Sequence, residues 1–503
     1  MRPNEVMDVK NEQIRTLHLT WIAFFVSFFA WFNMAPLSAS MVESEGWLTS
    51  GHLEALAIVN LALTIPARVV IGALLDKYGP RLVFSWLLII MSVPVFMFAF
   101  GTSWMQLLIA RLFISCIGAS FVVGIRMVSE WFPPKKVGFA EGFYAGFGNF
   151  GSAAGAMILP WVALQFFGGD DGWRYAIAFT GLVSLVYGFI YMFTVRDTPE
   201  GKTFHRAKNV SAMEVSSYKD LVQLIIWTIP LNGALAVLAW RLMDMGFLSA
   251  SAWYGIIAVL VVATVYQIVQ ILRVNLPILR RGVPEDDRYN FNNVAALNTT
   301  YFANFGAELA IISMLPIFFL TTFDLTPTTA GLVASSFAFV NLFARPVGGW
   351  LSDRMGNRRV TMLIYMIGIS IGLFAMAGIN SGWPLILAIL VTLLTSLFIQ
   401  GAEGATFAII PFVKKRLTGQ VSGMAGAYGN VGSVIYLTIY TFVTPTQFFM
   451  ILGAGALFSF VYCYFFLEEP EGSFADDYQV SSVDLKQQEI DLQEPKPIQG
   501  QKI

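Results

Sequence analysis

One string occurs twice in this chain of 503 residues, and each copy closes a long apolar run. It reads Ala-Arg-x-x-x-Gly-x-x-x-Asp-x-x-Gly-x-Arg. The first copy is Ala67, Arg68, Gly72, Asp76, Gly79 and Arg81; the second is Ala344, Arg345, Gly349, Asp353, Gly356 and Arg358. Arg68 and Arg345 each lie about two turns, roughly 12 Å, inside the apolar helix that the Asp ends. An arginine near the middle of a bilayer is expensive to place. Two of them at matched positions imply a duplicated fold around one central site that holds an anion.

Composition agrees with a membrane setting. Hydrophobic residues make up 56% of the chain and charged residues 13%, about half the charged share of soluble domains. Many apolar runs reach the ~20 residues that span a bilayer. Helices are the expected element, because lipid offers no partner to open backbone groups. The expectation is therefore an all-α membrane protein. Six spans fall in a first half at 17–41, 53–75, 82–101, 104–129, 138–166 and 173–195. Six more fall at 294–320, 328–351, 360–379, 383–410, 420–443 and 446–467.

Two further apolar segments, 221–243 and 252–275, lie between the halves. The loops bearing Lys77 and Arg81, Lys135 and Lys136, Arg196 to Lys208, Arg280 and Arg281, Arg354 to Arg359, and Lys414 to Arg416 are basic. The positive-inside rule puts them, with both termini, in the cytoplasm. The central segment must then cross an even number of times. Two crossings make fourteen helices, with Arg241 and Asp244 in the external turn; two interfacial helices would also fit. The domain reading is a cytoplasmic N-terminus at 1–16, a six-helix half at 17–195, an insertion with two membrane segments at 196–293, a second half at 294–467, and a tail at 468–503. That tail is acidic and rich in Gln, Pro and Ser, which predicts disorder.

Several classes are excluded on this basis. A net charge of −1 gives no reason to expect nucleic acid. Cys116 and Cys463 lie inside apolar runs, so neither a disulfide framework nor a metal site is expected, and no cofactor is called for. There is no nucleophile-base motif, and His18, His52 and His205 lie near span ends or in a loop, so the chain does not read as an enzyme. Met1 to Arg15 is polar and the first apolar run continues past Met34, so no cleavable leader is expected. The lipid bilayer is the evident partner, at a plasma membrane or bacterial inner membrane, and the chain is expected to act as a monomer.

The internal repeat extends beyond the arginine string. Gly148-Asn149-Phe150-Gly151-Ser152 matches Gly429-Asn430-Val431-Gly432-Ser433. Gly118-Ala119-Ser120-Phe121 matches Gly404-Ala405-Thr406-Phe407, and Met34-Ala35-Pro36 matches Met314-Leu315-Pro316. Two similar halves entering the membrane in one sense describe a transporter with its site at the repeat interface. The Gly-x-x-x-Asp-x-x-Gly-x-Arg loops resemble those of the major facilitator superfamily. Within it, the chain resembles the nitrate/nitrite porter family. The residues that carry this are Ala145 to Gly151, its second copy ending Gly429-Asn430-Val431-Gly432, the arginine pair, and Phe28 to Pro36 in the first helix. The resemblance implies the major facilitator fold, two six-helix halves related by internal repeat, with two extra helices in the insertion.

It also implies a site for nitrate and nitrite. Nitrate is planar and too weak a base to be neutralised, so its site needs fixed positive charge. Arginine supplies that charge in a planar fork of donors. The resemblance assigns substrate contact to Arg68 and Arg345, and aromatic rings above and below the anion to Phe121 and Phe407. It adds Tyr301. Asn149 and Asn430 are placed to donate amide hydrogens to the anion or across helices, with at least Asn149 expected to reach substrate. The glycines beside them let helices approach closely. Asp76 and Asp353, near Arg81 and Arg358, are expected to hold the halves together in one state of the cycle. Arg126 and Glu130, four residues apart, read as a local structural pair.

Uptake against a negative-inside potential opposes an anion by about 2.3 kcal/mol per charge per 100 mV. Protons are the expected coupling ion, which calls for a titratable group within the membrane. Glu308 and Glu403 are the candidates. Glu403 aligns with Ile117 and Glu308 with Phe28, so both break the repeat. An exchanger of nitrate for nitrite needs no such group, and a carrier of small organic anions fits the arginines equally well. A transport-dead sensor would need a signalling domain, and none is recognisable.

Overall fold

The computed structural model describes residues 3–493, and the described residues form helices and connecting loops. The first half contains α1 (Glu12–Ser44), α2 (Ser50–Tyr78), α3 (Pro80–Ala99), α4 (Trp104–Trp131), α5 (Pro134–Phe167) and α6 (Gly172–Thr194). The insertion contributes α7 (Tyr218–Asp244) and α8 (Ala250–Arg281). The second half contains α9 (Glu285–Phe323), α10 (Thr329–Arg354), α11 (Arg358–Ala377), α12 (Leu385–Val413), α13 (Thr418–Tyr440) and α14 (Pro445–Phe466). Thirteen of these are long and apolar enough to cross a membrane. The fourteenth, α13, is rich in glycine and carries Gln420, Ser422, Asn430 and Ser433. It is buried along most of its length, so it needs no lipid-facing apolar surface.

The breaks in these helices follow the repeat. α2 changes direction at Leu63 and α10 at Val340, five residues before Arg68 and Arg345. Pro66 and Pro346 each remove a ladder donor just beyond the break. In α2 the Ser115 hydroxyl accepts from the freed Leu63 N–H, and the Ser115 carbonyl accepts from the Thr64 hydroxyl. α1 breaks after Trp31, and the buried Arg111 of α4 donates to the Trp31 carbonyl at 2.7 Å and to Asn33 at 2.9 Å.

Two seams join the halves, α2 against α13 and α5 against α10. Both consist of glycine. A methyl group on Gly419 would stand 2.5 Å from the Gly72 carbonyl oxygen, and one on Gly138 would stand 2.5 Å from that of Gly349. Gly423 likewise abuts the Arg68 carbonyl, and Gly142 that of Arg345. Backbones therefore touch directly, as small residues allow.

The insertion leans on both halves. In α7, Trp227 accepts through its carbonyl from Tyr428 of α13 at 2.5 Å. The α7–α8 turn places Phe247 on His52 and Trp104 of the first half. α8 has only 6% of its most apolar window buried, which suits a helix facing lipid.

The tail departs from the expected disorder over residues 468–493. It contains α15 (Ser482–Gln493) and crosses the end of the bundle that carries the basic loops. Asp476 pairs with Lys135 of the first half, and Asp477 with Lys202 in the segment that follows it, at 2.8 Å. Asp484 meets Arg416 at 3.1 Å, and Glu469 accepts from the Arg359 N–H at 2.8 Å, both in the second half. Composition alone suggests a solvated tail, but its acidic groups find cations on both halves. The stretch 494–503 of the expected disordered tail lies outside the described residues. Arg416 also binds Glu214 and Asp287, so Arg416→Ala strips one partner from a buried cluster, at a cost of ~3–5 kcal/mol. Limited proteolysis within 468–493 is expected to speed up at least ~tenfold in this variant. Unchanged cleavage would show that the cluster does not anchor the tail.

Candidate anion site between the halves

The residues singled out in the sequence converge between the two seams. Arg68 and Arg345 are each 1% exposed. Their guanidinium carbons lie 5.4 and 5.8 Å from the centre of one ring, Phe305 of α9. Two buried cations thus face a common region. Their surroundings are unlike each other. Arg68 donates from Nε to the Gly118 carbonyl at 3.2 Å and from Nη1 to that of Gly426. Among the described residues, no carboxylate comes within ion-pair distance of Arg68. Arg345 meets two, Glu308 of α9 at 3.1 Å and Glu403 of α12. Neither lies on its own helix, which is why sequence spacing did not reveal the pairing.

Asn149 reaches across from α5. With its amide oxygen toward Arg345 it accepts from Nη1 at 2.7 Å and from Nη2 at 3.0 Å. Asn430 is fully buried, and neither of its amide atoms has a partner among the described residues. A buried amide left open in this way is costly unless something else satisfies it.

The aromatic geometry corrects the expected sandwich. Phe121 and Phe407 touch edge to face, with centres 4.5 Å apart and planes at 86°. No flat slot lies between them, and the perpendicular contact is one of the two arrangements that aromatic quadrupoles favour. The parallel stack runs instead from Phe121 through Tyr301 to Phe305, with spacings of 6.1 and 5.0 Å and planes within 5°. Phe407 abuts the Tyr301 ring as well, at 4.8 Å.

Sequence reading passed over Phe305, Asn341 and Gln400. Phe305 lies one turn beyond Tyr301, and Asn341 one turn before Arg345 on the same helix, spacings that could have flagged both. Gln400 is a lone amide in the apolar run of α12. Asn341 donates to Glu308 Oε1 at 2.6 Å and Gln400 to the same oxygen at 3.3 Å.

The acidic residues of the repeated loops act across the seams. Asp76 accepts from the Gly419 and Gln420 N–H groups at 2.8 Å each, at the start of α13. Asp353 accepts from Gly138 at 3.0 Å and Phe139 at 2.8 Å, in the first turns of α5. At the start of α13 the Asp76 carboxylate satisfies open donors and meets the positive end of the dipole, whereas Asp353 meets N–H groups in the second turn of α5, past the open ones. The cation beside each Asp differs. Asp353 has Arg358 of its own loop at 2.9 Å. Asp76 has Arg126 of α4 at 3.6 Å, while Arg81 donates its backbone N–H to Asp197, just past the end of α6. In this conformation the cation beside Asp76 is Arg126, not Arg81. Arg126 does pair with Glu130 at 3.1 Å, but it also reaches the carbonyls of His205 and Lys415, so the pair is more than local. Lys415 sits over the Tyr478 ring at 3.9 Å and beside Glu130 at 3.4 Å. Burial there pulls its ammonium down to about 8, against the attraction of Glu130.

Asp76→Asn is expected to slacken the α2–α13 seam by about 1–3 kcal/mol, seen as faster hydrogen exchange at the Gly419 and Gln420 amides. Asp353→Asn should do the same at Gly138 and Phe139. Exchange equal to wild type would remove both carboxylates from seam closure.

Comparison with known proteins places this architecture. The Major Facilitator Superfamily model matches residues 20–279 and 297–494. The chain is 44% identical over 511 residues to the nitrate/nitrite transporter NrtP of Picosynechococcus sp., covering 93% of this chain and 95% of the relative. It is 27% identical over 442 residues to the high affinity nitrate transporter 2.5 of Arabidopsis thaliana, covering 86% and 75%. The transporter FucP in its outward conformation shares the fold, with a TM-score of 0.61 at 12% identity, covering 91% of this chain and all of that one. These relatives are transporters rather than enzymes. The chain is an integral membrane protein of the nitrate/nitrite porter family of the major facilitator superfamily.

Proposed function

We propose that this chain carries nitrate, and nitrite as well, across the membrane by alternating access, with protons as the coupling ion. The observation that carries the reading is the pair of buried guanidiniums facing one ring between two symmetric seams. The anion sits between Arg68 and Arg345, with Phe121, Phe407 and Tyr301 shaping the space and Asn149 and Asn430 offering amides. Its relatives are named for nitrate and nitrite, which supports the choice among small anions. If the basic loops and both termini face the cytoplasm, as the positive-inside rule supports, the closed seams lie on that side and this conformation is closed to the cytoplasm. The second conformation requires Asp76 and Asp353 to release α13 and α5.

Glu308 and Glu403 favour symport over exchange. A carrier that merely swaps nitrate for nitrite has no need of two carboxylates on one substrate arginine. Nitrate uptake into proteoliposomes, with and without an inward proton gradient, tests the reading. Wild-type uptake is expected to rise with the gradient, and Arg68→Lys to lose at least ~tenfold of it, because an ammonium cannot present the planar fork. Uptake that ignores the gradient but needs nitrite inside would mean exchange. If Glu308→Gln and Glu403→Gln both keep gradient-driven uptake, protons do not couple here. No nitrate movement in either format would favour an organic-anion substrate.

A further inference from the structure

The two carboxylates on Arg345 are held very differently. Glu308 accepts from Asn341, from Gln400 and from Arg345 Nη2. All three are N–H donors, which fix its position. Gln400 is itself tied to the Phe337 carbonyl at 2.9 Å. Glu403 has no such support. It meets Arg345 Nη2 and faces Glu308, but among the described residues no amide donates to either of its oxygens, and it is 1% exposed. Gly404, the next residue, lets the α12 backbone touch the Arg345 carbonyl, which sets Glu403 against the guanidinium. The charged and titratable groups around Glu403 are Arg345 on α10, Glu308 and Tyr301 on α9, Arg68 on α2, and Tyr365 of α11, whose ring lies over Gly401.

Charge counting gives this asymmetry a meaning. Arg68 and Arg345 against ionised Glu308 and Glu403 sum to zero. Nitrate alone would bring the buried cluster to −1, and an unpaired buried charge is costly. Nitrate together with one proton restores zero. We propose that Glu403 is a built-in stand-in for the transported anion. As a carboxylate it occupies Arg345 in the empty carrier. Taking a proton from the medium, it leaves the guanidinium to nitrate, and no bond within nitrate is made or broken. Asn341 and Gln400 are positioning residues that hold Glu308 as the permanent counter-ion of Arg345, so that Glu403 is the one that leaves. This rests on the nitrate-proton reading above.

The consequence is specific. The empty carrier and the carrier loaded with nitrate and proton are both neutral at the site, and both can reorient. In Glu403→Gln the nitrate-loaded site is neutral but the empty site carries a positive charge. That variant should shuttle only when loaded, and so should exchange without net transport. The test uses the full-length protein in proteoliposomes. Labelled nitrate counterflow at equal pH is read beside net uptake driven by a proton gradient. Glu403→Gln is expected to keep counterflow within about threefold of wild type while net uptake falls at least ~tenfold. Net gradient-driven uptake intact in this variant overturns the proposal.

A second readout does not depend on the variant folding. Calorimetry of nitrate binding in buffers of different ionisation enthalpy should show the wild type taking up a proton as it binds nitrate. No proton uptake in the wild type overturns the proposal even if Glu403→Gln cannot be purified. A wild type that transports nitrate but ignores the gradient overturns the reading beneath and takes this proposal with it.

Discussion

Everything in this structure is arranged around two guanidiniums that have no business in a low-dielectric core. Burying a charge costs several kcal/mol even after relaxation. The chain meets that cost in two ways. Arg68 rests on backbone carbonyls freed by the breaks and close approaches of its neighbours, and on aromatic faces. Arg345 rests on carboxylates and an amide. The sequence repeats these arginines to the residue, yet the two halves solve the same electrostatic problem with different chemistry. A site with one open cation and one compensated cation can both attract an anion and exist without it.

The seams serve that site by bringing helices close enough for their arginines to point inward. Asp76 reaches past its own half to cap α13, and Asp353 reaches past its own to the second turn of α5. The cap joins a local feature, the end of an apolar helix, to a global one, the closure of the bundle. The cation supporting each Asp again differs: Arg126 from α4 on one side, Arg358 from the loop on the other. Position 412, the counterpart of Arg126 in the second half, is Phe412, and Arg358 lies over its ring at 4.9 Å. An exchange of charge for aromatic surface within the repeat thus accompanies the change of partner.

Much of this was legible beforehand, because geometry demands particular residue types. Only glycine permits backbones to touch at Gly72 and Gly349, only a carboxylate caps a helix in the way Asp76 does, and apolar length reports spanning helices. Those demands leave marks at fixed spacing. What the sequence hid were meetings between helices that no spacing encodes. Glu308 and Glu403 reach Arg345 from α9 and α12. Phe121 and Phe407, set at matched positions, suggested a parallel pair, but ring orientation depends on how α4 and α12 tilt together. Arg126 looked committed to Glu130 four residues away and proved to serve Asp76 as well. The tail misled for a related reason: composition measures how little apolar surface it can bury, not how many cations await it.

The bare glycine seams also have an entropic side. Where interfaces close through side chains, each closure freezes rotamers, and long side chains lose up to about 2 kcal/mol apiece. Glycine has no rotamers to lose. Where Gly72 meets Gly419 and Gly138 meets Gly349, only rigid helical backbone comes together. Parting these surfaces therefore releases little disorder, and joining them demands little. The open and closed arrangements can lie near the same free energy, so that the occupant of the site, rather than the stickiness of the interface, decides which one prevails.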